Sequence, residues 1–313
     1  MKTQLVPLLI CPACLPKERP LRLSAEHEAD GEVLRGTLAC PHCRRRFPIR
    51  DGIALLLADP DHHQSGAQWR YEEQGMTSRY LWTHYRDLLG ATAPGSPPNV
   101  WADCLPTQAT ACLDAGCSVG RLTFEMANRS ELAVGCDLSR SFIATARRLA
   151  RERRLSFSLP LEGQLMEPFE LRLPDDWRCD RLEFVVADAL RLPFAAGSFP
   201  QVASLNLLDR VNYPLAHLFE MNRVATPRQA GFLVADPFSW SATVTPEERW
   251  LGGTSHGPWA GRGIDNLRAL LEGKKQIIKP PWRIEQEGIV DWTIRNHCSH
   301  HELISSYYLV ASR

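Results

Sequence analysis

From about Val100 onward, short apolar runs alternate with segments of helical character, and this alternation restricts the fold more than any other feature of the chain. The apolar runs read ACLDAG, LAVGCD, LEFVVAD, QVASLNLL and AGFLVADPF, and helices are predicted at 119–129, 139–154 and 214–224. Short strands joined by crossover helices form a parallel sheet, because a tight turn cannot link two parallel neighbours. The pattern therefore predicts an α/β fold with a doubly wound, mostly parallel sheet.

Towards the C-terminus the pattern changes. The stretches GIVDWTIRNH and LISSYYLVASR have the character of two antiparallel strands, which we expect to close the sheet. Residues 155–181 lack a clear periodicity and are predicted to be irregular. Together these features predict a Rossmann-like sheet with an antiparallel C-terminal strand, in a domain of residues 100–313.

The composition limits the functions that are open to the chain. Among 313 residues, 36 basic and 36 acidic side chains balance, which argues against a surface built throughout for nucleic acid. No apolar run is long enough to span a bilayer, and the first residues form a poor signal peptide, so we expect a cytoplasmic protein with no membrane partner. In that compartment ten cysteines indicate metal ligands and buried thiols.

Two C-x2-C pairs near the N-terminus predict a metal site. CPAC supplies Cys11 and Cys14, and CPHC supplies Cys40 and Cys43. Each pair turns two thiolates towards one point, and four thiolates complete the closed tetrahedron of a structural zinc site. Because no ligand position is left for water, we expect this Zn²⁺ to stabilise a small N-terminal β domain and not to catalyse.

The residues around these cysteines resemble a known family. The stretch LLICPAC…GTLACPHCRRRFPIRDGIALLL is similar to the small zinc-ribbon protein that activates tRNA and release-factor methyltransferases. The resemblance covers about the first 58 residues and implies a zinc ribbon fused to the enzyme that it would otherwise partner. Arg44, Arg45 and Arg46 would then contact phosphates, although a solvated hairpin tip explains such a charge run equally simply and is favoured here.

Between the ribbon and the sheet lie a polar stretch and a helix. Residues 59–66, DPDHHQSG, predict a linker, and residues 67–90 predict a helix with many aromatic side chains. We expect a zinc-ribbon domain at 1–58, a linker and helical lid at 59–99, and the α/β domain after them. The lid would present Tyr71, Tyr80, Trp82 and Tyr85, with ordinary core packing as the alternative.

A glycine-rich turn follows the first predicted strand of the α/β domain. In LDAGCSVGR, at 113–121, the chain lacks the lysine of a phosphate loop, and the spacing is not that of a dinucleotide fold. Polar side chains instead end four successive strands: Asp114, Asp137, Asp188 and Asn206. Carboxylates suit a ribose, an adenine amino group and a cationic centre without phosphate, which indicates S-adenosylmethionine.

The expected cofactor-binding residues are those of the turn and of the strand ends. They are Asp114, Gly116, Cys117, Ser118, Gly120, Asp137, Leu138, Asp188, Ala189 and Asn206. Helix capping by Asp114 and Asp188, and a plain turn at Asn206, remain alternatives. The segment from about 100 to 240 resembles class I methyltransferases throughout.

Further phrases resemble one methyltransferase family more closely. LDAGCSVGRLTFEMA, GCDLSRSFIATARRL, LNLLDRVNYP, ADPFSW and WLGG stand in the order of the methyltransferase domain of ovothiol biosynthesis, a mercaptohistidine N-methyltransferase. The resemblance implies transfer to an imidazole nitrogen and gives the insert 155–181 a place at the pocket of the methyl acceptor.

Just after the fourth strand, Asp209, Arg210 and Tyr213 are the candidate catalytic residues. Asp209 would orient an imidazole N–H and Arg210 would hold a carboxylate; an Asp–Arg pair that caps helix 214–224 is the alternative. Further along, two groups are ambiguous. Trp240, Trp250 and Trp259 are candidates for the pocket wall, and His297, His300 and His301 are expected on a surface turn.

Three functions stay open at this stage. The first is a methyltransferase that acts on a heteroatom, an imidazole nitrogen or a sulfur, of a small amino-acid-like metabolite by in-line displacement. The second is an RNA or protein methyltransferase that reads its substrate through the zinc ribbon. The third is a non-catalytic scaffold that binds S-adenosylmethionine. The neutral charge and the aromatic flanks favour the small molecule over nucleic acid.

Overall fold

The computed structural model describes residues 1–59, 72, 74–105 and 108–313. The strands are β1 Arg22–Ala29, β2 Glu32–Ala39, β3 Arg46–Arg50, β4 Ile53–Leu56, β5 Ala109–Ala115, β6 Ser130–Asp137, β7 Arg154–Glu162, β8 Leu165–Arg172, β9 Leu182–Ala187, β10 Gln201–Leu205, β11 Gly231–Asp236, β12 Arg283–His297 and β13 His300–Ser312. The helices are α1 Gln74–Tyr85, α2 Arg121–Ala127, α3 Arg140–Glu152, α4 Pro214–Val224 and α5 Gly263–Leu271.

A large sheet runs through the described chain in the order β1-β2-β3-β4-β9-β6-β5-β10-β11-β13-β12, and β7 and β8 form a separate small sheet. From β4 to β11 neighbouring strands are parallel, and β13 and β12 add antiparallel strands at one side. The predicted α/β architecture, with its mostly parallel sheet and antiparallel C-terminal strands, is therefore confirmed. So is the N-terminal group of strands that carries the four cysteines.

The sheet has a core on each face, which is what a doubly wound arrangement requires. On one face the N-terminal segment, α4 and α5 pack against the strands, with Leu218 and Leu267 among the buried side chains. On the other face α2 and α3 pack with α1, and Phe124 and Ile143 are buried there. Within the described chain, no helix has both the length and the apolar character needed to cross a membrane.

The N-terminal strands are joined directly to the parallel sheet. Strand β4 pairs in parallel with β9, with Leu55 opposite Val186. Nearby, Arg147 of α3 forms buried ion pairs with Glu183 of β9, at 3.0 Å, and with Glu32 of β2. Hydrogen bonds and charges therefore both fix the ribbon against the α/β part of the molecule.

Two details differ from the sequence-based expectations. The irregular structure predicted at 155–181 is wrong: β7 and β8 form a hairpin, in which Phe157 stacks on Phe169 with ring centroids 5.3 Å apart. Leu155, Phe157 and Leu159 do alternate along β7, but Pro160 in β7 and Pro168 in β8 obscure the pattern. Helix α2 begins two residues later than predicted, because Gly120 has a left-handed backbone, with φ of 87°.

Candidate active site

A cavity of about 590 Å³ opens at the carboxyl edge of the parallel strands. Ligand sites of doubly wound sheets lie at this edge. One side of the cavity, which we call the strand-end wall, consists of residues at or just beyond the ends of β5, β6, β9 and β10: Asp114, Gly116, Cys117, Ser118, Asp137, Leu138, Asp188, Ala189 and Asn206. The structure thus brings all the expected cofactor-binding residues except Gly120 to one surface.

The glycine turn leaves bare backbone at the floor of this wall. Gly116 has a φ of 77°, and a Cβ built there would lie 2.8 Å from Leu207 Cδ2. The amides of Gly116 and Cys117 both donate to the carbonyl of Cys136, at 2.8 and 3.0 Å, which holds the turn against β6. Gly120 allows close packing, because a Cβ at that position would lie 2.9 Å from the Phe184 ring.

Asp137 holds two loops together and faces the cavity. Its Oδ2 accepts a hydrogen bond from the amide of Ser118 and its Oδ1 accepts one from the amide of Ser139, both at 2.9 Å. Since a carboxylate oxygen has two lone pairs, each keeps one for a ligand hydroxyl. Burial raises the pKa of Asp137 to about 6, opposed by these backbone hydrogen bonds.

The other two acids of the wall are held differently. Asp114 is buried and accepts a hydrogen bond from the Thr123 hydroxyl at 2.7 Å, and burial raises its pKa to about 7. Asp188 accepts a hydrogen bond from the amide of Leu190 at 2.8 Å, at the start of the loop that follows β9. No lysine or arginine lies among the strand-end residues, so the wall suits a ligand without phosphate.

Helix α1 covers the cavity with one side of its surface. The residues of this lid face recur at helical spacing: Met76, Arg79, Tyr80, Thr83 and His84. Burial and the charge of Arg121 lower the pKa of His84 to about 4, so its imidazole is neutral at pH 7. Sequence reasoning missed Arg79 and His84, although their spacing from Met76 and Tyr80 was visible.

The aromatic residues expected in the lid divide into two groups. Tyr80 lines the cavity, whereas Trp82 and Tyr85 are buried on the far side of α1, where the Tyr85 hydroxyl donates to the carbonyl of Val119 at 2.9 Å. Tyr71 and the linker residues 60–66 lie outside the described residues.

The C-terminal hairpin forms the third side. Alternate residues of β12 and β13 make up this hairpin face: Trp292, Ile294, Asn296, Glu302 and Ile304. Trp101 lines the cavity beside them. Neither the predicted tryptophans at 240, 250 and 259 nor residues 155–181 are among the described residues that line it; Trp240 instead stacks on Trp250, with centroids 6.1 Å apart.

The three candidate catalytic residues lie in different environments. Arg210 lines the cavity, and its Nε lies 3.1 Å from Oδ1 of Asp209. Asp209 is fully buried, and its Oδ2 accepts a hydrogen bond from the amide of Ser239 at 2.8 Å. Burial raises the pKa of Asp209, and the charge of Arg210 opposes this. Tyr213 is 46% exposed, with the Arg249 guanidinium 3.8 Å from its ring centroid.

The helix-capping alternative for the Asp–Arg pair can be compared with the start of α4. Tyr213 stands at the N-cap position, and no side chain makes a capping hydrogen bond there. Asp209 is instead tied to Arg210 and, through its own amide, to Oδ2 of Asp236 at 3.2 Å. The pair therefore belongs to the edge of the cavity and not to the helix end.

The four cysteines of the ribbon come together as a metal-binding cluster. All four Sγ atoms lie within 4.8 Å of one another, with Cys11 to Cys43 at 3.6 Å and Cys14 to Cys40 at 3.8 Å. A tetrahedron with Zn–S bonds of about 2.3 Å has S···S edges of about 3.8 Å. The cluster thus has the dimensions of a closed tetrahedral thiolate site.

His297, His300 and His301 lie where β12 turns into β13, as expected. The His297 and His300 rings are 5.9 Å apart and exposed, while the His301 ring lies 5.7 Å from that of Trp82.

Comparison with known proteins agrees with this architecture. Residues 113–233 match the family model of a methyltransferase domain, and residues 2–52 match that of Trm112p-like proteins. The chain therefore combines a class I methyltransferase domain, of the kind that uses S-adenosylmethionine, with an N-terminal Trm112p-like domain. No curated protein matches the sequence significantly.

The solved structures that match the chain are distant in sequence. A SAM-dependent methyltransferase from Methanosarcina mazei is 18% identical, with 67% of this chain and 95% of that one covered and a TM-score of 0.44. The YcgJ protein from Bacillus subtilis is 13% identical, with 69% of this chain and 97% of that one covered and a TM-score of 0.45. A chain from a complex of the Haloferax volcanii Trm112 methyltransferase activator with a methyltransferase is 19% identical, with 55% of this chain and 57% of that one covered and a TM-score of 0.32.

Proposed function

We propose that this methyltransferase transfers its methyl group to a heteroatom, an imidazole nitrogen or a sulfur, of a small amino-acid-like metabolite. The observation that carries the proposal is the cavity itself. Its volume of about 590 Å³ is typical of small-molecule sites, and the lid face and the hairpin face both contribute to its lining beside the strand-end wall. Such a site suits a compact methyl acceptor beside the cofactor, and the ovothiol-like phrases support an acceptor of the mercaptohistidine type.

The strand-end wall fits S-adenosylmethionine, which supplies an electrophilic methyl group on a cationic sulfur. Three carboxylates on a wall that contains no lysine or arginine favour a cation, and the bare turn at Gly116 admits a ligand close to the backbone. In this proposal Asp137 binds the ribose hydroxyls and Asp188 the adenine amino group. Asp114 favours the cationic methionine end. Cys117, Ser118, Leu138 and Ala189 supply the surrounding surface, and Gly120 allows the turn to pack.

On the side of the methyl acceptor we assign Arg210 to a carboxylate. Asp209 orients Arg210 through their ion pair, and we assign the exposed Tyr213 to first contact with an entering molecule. The nucleophile must stand opposite the sulfur, about 3 Å from the methyl carbon, so positioning supplies most of the rate. Thiolates and imidazoles are nucleophilic near neutral pH, and a strong base is not required.

A methyl-transfer assay tests this proposal. The purified protein, with zinc and S-adenosylmethionine, is offered mercaptohistidine, related thiol-imidazoles, transfer RNA and ribosomal RNA. We expect methylation of a thiol-imidazole and of no RNA. Methylation of RNA alone would overturn the proposal. Tight binding of the cofactor with no transfer to any class of substrate would favour the non-catalytic scaffold.

One observation favours RNA as the second candidate. Strand β3 runs antiparallel to β4, and β4 runs parallel to β9, so Arg46 at the start of β3 lies at the same edge of the sheet as the cavity. Arg44 and Arg45 are exposed and form no ion pair within the described residues. With strands about 4.8 Å apart, five strand spacings separate β3 from β10 by about 24 Å, a few nucleotides of RNA.

Salt-dependent RNA binding separates these two candidates. If RNA is the substrate, replacing Arg44 and Arg45 by glutamate will weaken binding to transfer RNA and reduce its salt dependence. If the metabolite is the substrate, the same variant will methylate thiol-imidazoles at the wild-type rate.

The arrangement of the chain also enters the proposal. We propose a zinc ribbon at 1–58, a linker and lid at 59–99 and the methyltransferase domain at 100–313, with structural Zn²⁺ held by the four cysteines. We further propose a cytoplasmic location, because all ten cysteines are free thiols.

A further inference from the structure

A chain of three side chains connects the C-terminal hairpin to the strand-end wall. The indole Nε1–H of Trp292 donates to the Ser306 hydroxyl at 2.8 Å, and this hydroxyl donates to Oδ1 of Asn206 at 2.6 Å. Trp292 and Asn206 both line the cavity, while Ser306 is fully buried behind them. A single hydroxyl thus connects two cavity residues from different strands.

The direction of these hydrogen bonds is set by chemistry. An indole N–H can only donate, so Ser306 receives that bond and keeps one proton of its own to give. If the Asn206 amide were reversed, its Nδ2 would also donate to Ser306, and the buried hydroxyl proton would lose its partner, at a cost in free energy. The carbonyl of Asn206 is therefore held towards Ser306.

Because Oδ1 of Asn206 accepts from Ser306, the side-chain Nδ2 is the atom of Asn206 that can donate to a ligand in the cavity. Nδ2 donates to no group in the described part of the chain. The backbone of Asn206 is fixed as well, with φ of 55° and its amide donating to the carbonyl of Ala235 at 2.7 Å. Asn206 is thus a preset donor four residues before Arg210, which lines the same cavity.

We propose that Ser306 and Trp292 are positioning residues that hold Asn206 as a hydrogen-bond donor to the carboxylate of the methyl acceptor, which Arg210 binds from its other side. This inference rests on the proposed function and names one group of its substrate. A donor and a guanidinium at one site favour a carboxylate over the neutral amide of the same molecule, because hydrogen bonds to an ionised acceptor are stronger.

The test measures a preference and not an activity. The zinc-loaded protein, saturated with S-adenosylhomocysteine, is titrated calorimetrically with L-histidine and L-histidinamide, and with mercaptohistidine and its amide. We expect the wild type to bind the acid at least about tenfold more tightly than the amide. In Ser306→Ala the preference falls towards the part that Arg210 alone supplies, and in Asn206→Asp it reverses, because the new carboxylate repels the acid and accepts from the amide.

Ser305→Ala is the matched control. Ser305 neighbours Ser306 on β13, is exposed, and donates to Oδ1 of Asp291 at 2.6 Å, so it loses a similar hydrogen bond outside the cavity. We expect it to keep the wild-type preference. Trp292→Phe keeps an aromatic ring but removes the N–H and should lower the preference less than Ser306→Ala. It also serves as the second variant if Ser306→Ala does not fold.

Three results would overturn the inference: equal binding of acid and amide by the wild type, binding of neither, or an unchanged preference in both Ser306→Ala and Asn206→Asp. The proposed function fails separately. A protein that prefers the acid but methylates no thiol-imidazole keeps the inference about Asn206 and loses the assigned reaction. A protein that methylates mercaptohistidine and its amide equally well, and binds both with equal affinity, supports the assigned reaction and overturns the inference about Asn206.

Discussion

The strand-end wall and the opposing faces of the cavity are built in different ways. Each residue of the strand-end wall lies at or just beyond the end of its own strand, so the order of the parallel strands brings Asp114, Asp137 and Asp188 together. The lid face and the hairpin face come from α1 and β12–β13, which are distant in sequence and meet only through tertiary packing. Local sequence therefore encodes the half that we assign to the cofactor, of which Asn206 is also assigned to the methyl acceptor. The half that we assign to the acceptor alone depends on how remote segments dock.

The largest effect should come from the metal cluster, because it tests whether the strand-end wall depends on the ribbon. Cys40→Ser removes one thiolate from the closed site, and zinc affinity contributes directly to the folding of such domains. Since β4 pairs with β9, which leads to Asp188, we expect a fall of several degrees in Tm and a weaker affinity for S-adenosylhomocysteine.

Cys104→Ser is the control, since Cys104 is a half-buried free thiol outside the cluster. If Cys40→Ser has lost its zinc by elemental analysis but melts like the wild type in calorimetry, the strand-end wall does not depend on the metal-bound ribbon.

Next in size is the loss of Asp137. Replacing it with alanine removes both ligand lone pairs and frees the amides of Ser118 and Ser139, so two loops lose their connection. At about 1.5–3 kcal/mol for a hydrogen bond to a charged group, affinity for S-adenosylhomocysteine should fall roughly 100-fold by calorimetry.

Asp103→Ala, at an exposed position away from the cavity, should bind like the wild type. If Asp137→Ala also binds normally, the strand-end wall is not the cofactor half.

Arg210 tests the opposite half of the comparison. Arg210→Gln removes the charge that faces the methyl acceptor and leaves the three acids in place. We expect KM for a thiol-imidazole to rise about tenfold or more, while affinity for S-adenosylhomocysteine changes less than about twofold. Arg249→Gln, which removes the cation over Tyr213 outside the cavity lining, is the comparison variant. Equal losses of cofactor and methyl-acceptor binding in Arg210→Gln would show that the two halves are not separate.

The last effect is that of pH on cofactor binding. Burial raises the pKa of Asp137 to about 6 and that of Asp114 to about 7, above the ordinary value of 3.8. A buried acid with a raised pKa binds protons in the folded state, so this contribution to stability is present at low pH and is lost as pH rises from about 4 to 7. A cationic ligand needs the ionised forms.

Cofactor affinity should therefore increase between pH 5 and 7.5, by at most about tenfold per pH unit and group. Over the same range Tm of the free protein should fall and the increase in Tm caused by S-adenosylmethionine should grow. Asp137→Asn should flatten the lower part of the curve. Affinity that is independent of pH in the wild type would exclude both acids from the binding step.

The strand-end wall could be predicted from the sequence better than the lid face and the hairpin face. The turn at Gly116 and the strand-end acids were visible because each depends on a few neighbouring residues. Trp292 was not singled out, since its role requires β12 to lie against β13 and β13 against β11. Trp240 was a reasonable candidate from its position after β11, yet it packs against Trp250. The aromatic residues of the sequence predict an aromatic lining of the cavity, but they do not show which side chains form it.

The parallel pairing of β4 with β9 has a consequence for synthesis. The ribbon strands leave the ribosome first, but the edge of β4 has no partner until residues 57–181 have been translated. At about 5–20 residues per second, this edge waits for roughly ten seconds. An early supply of metal would keep the nascent ribbon closed during that interval, so zinc-starved cells should accumulate this protein as aggregates of newly made chains before mature molecules are lost.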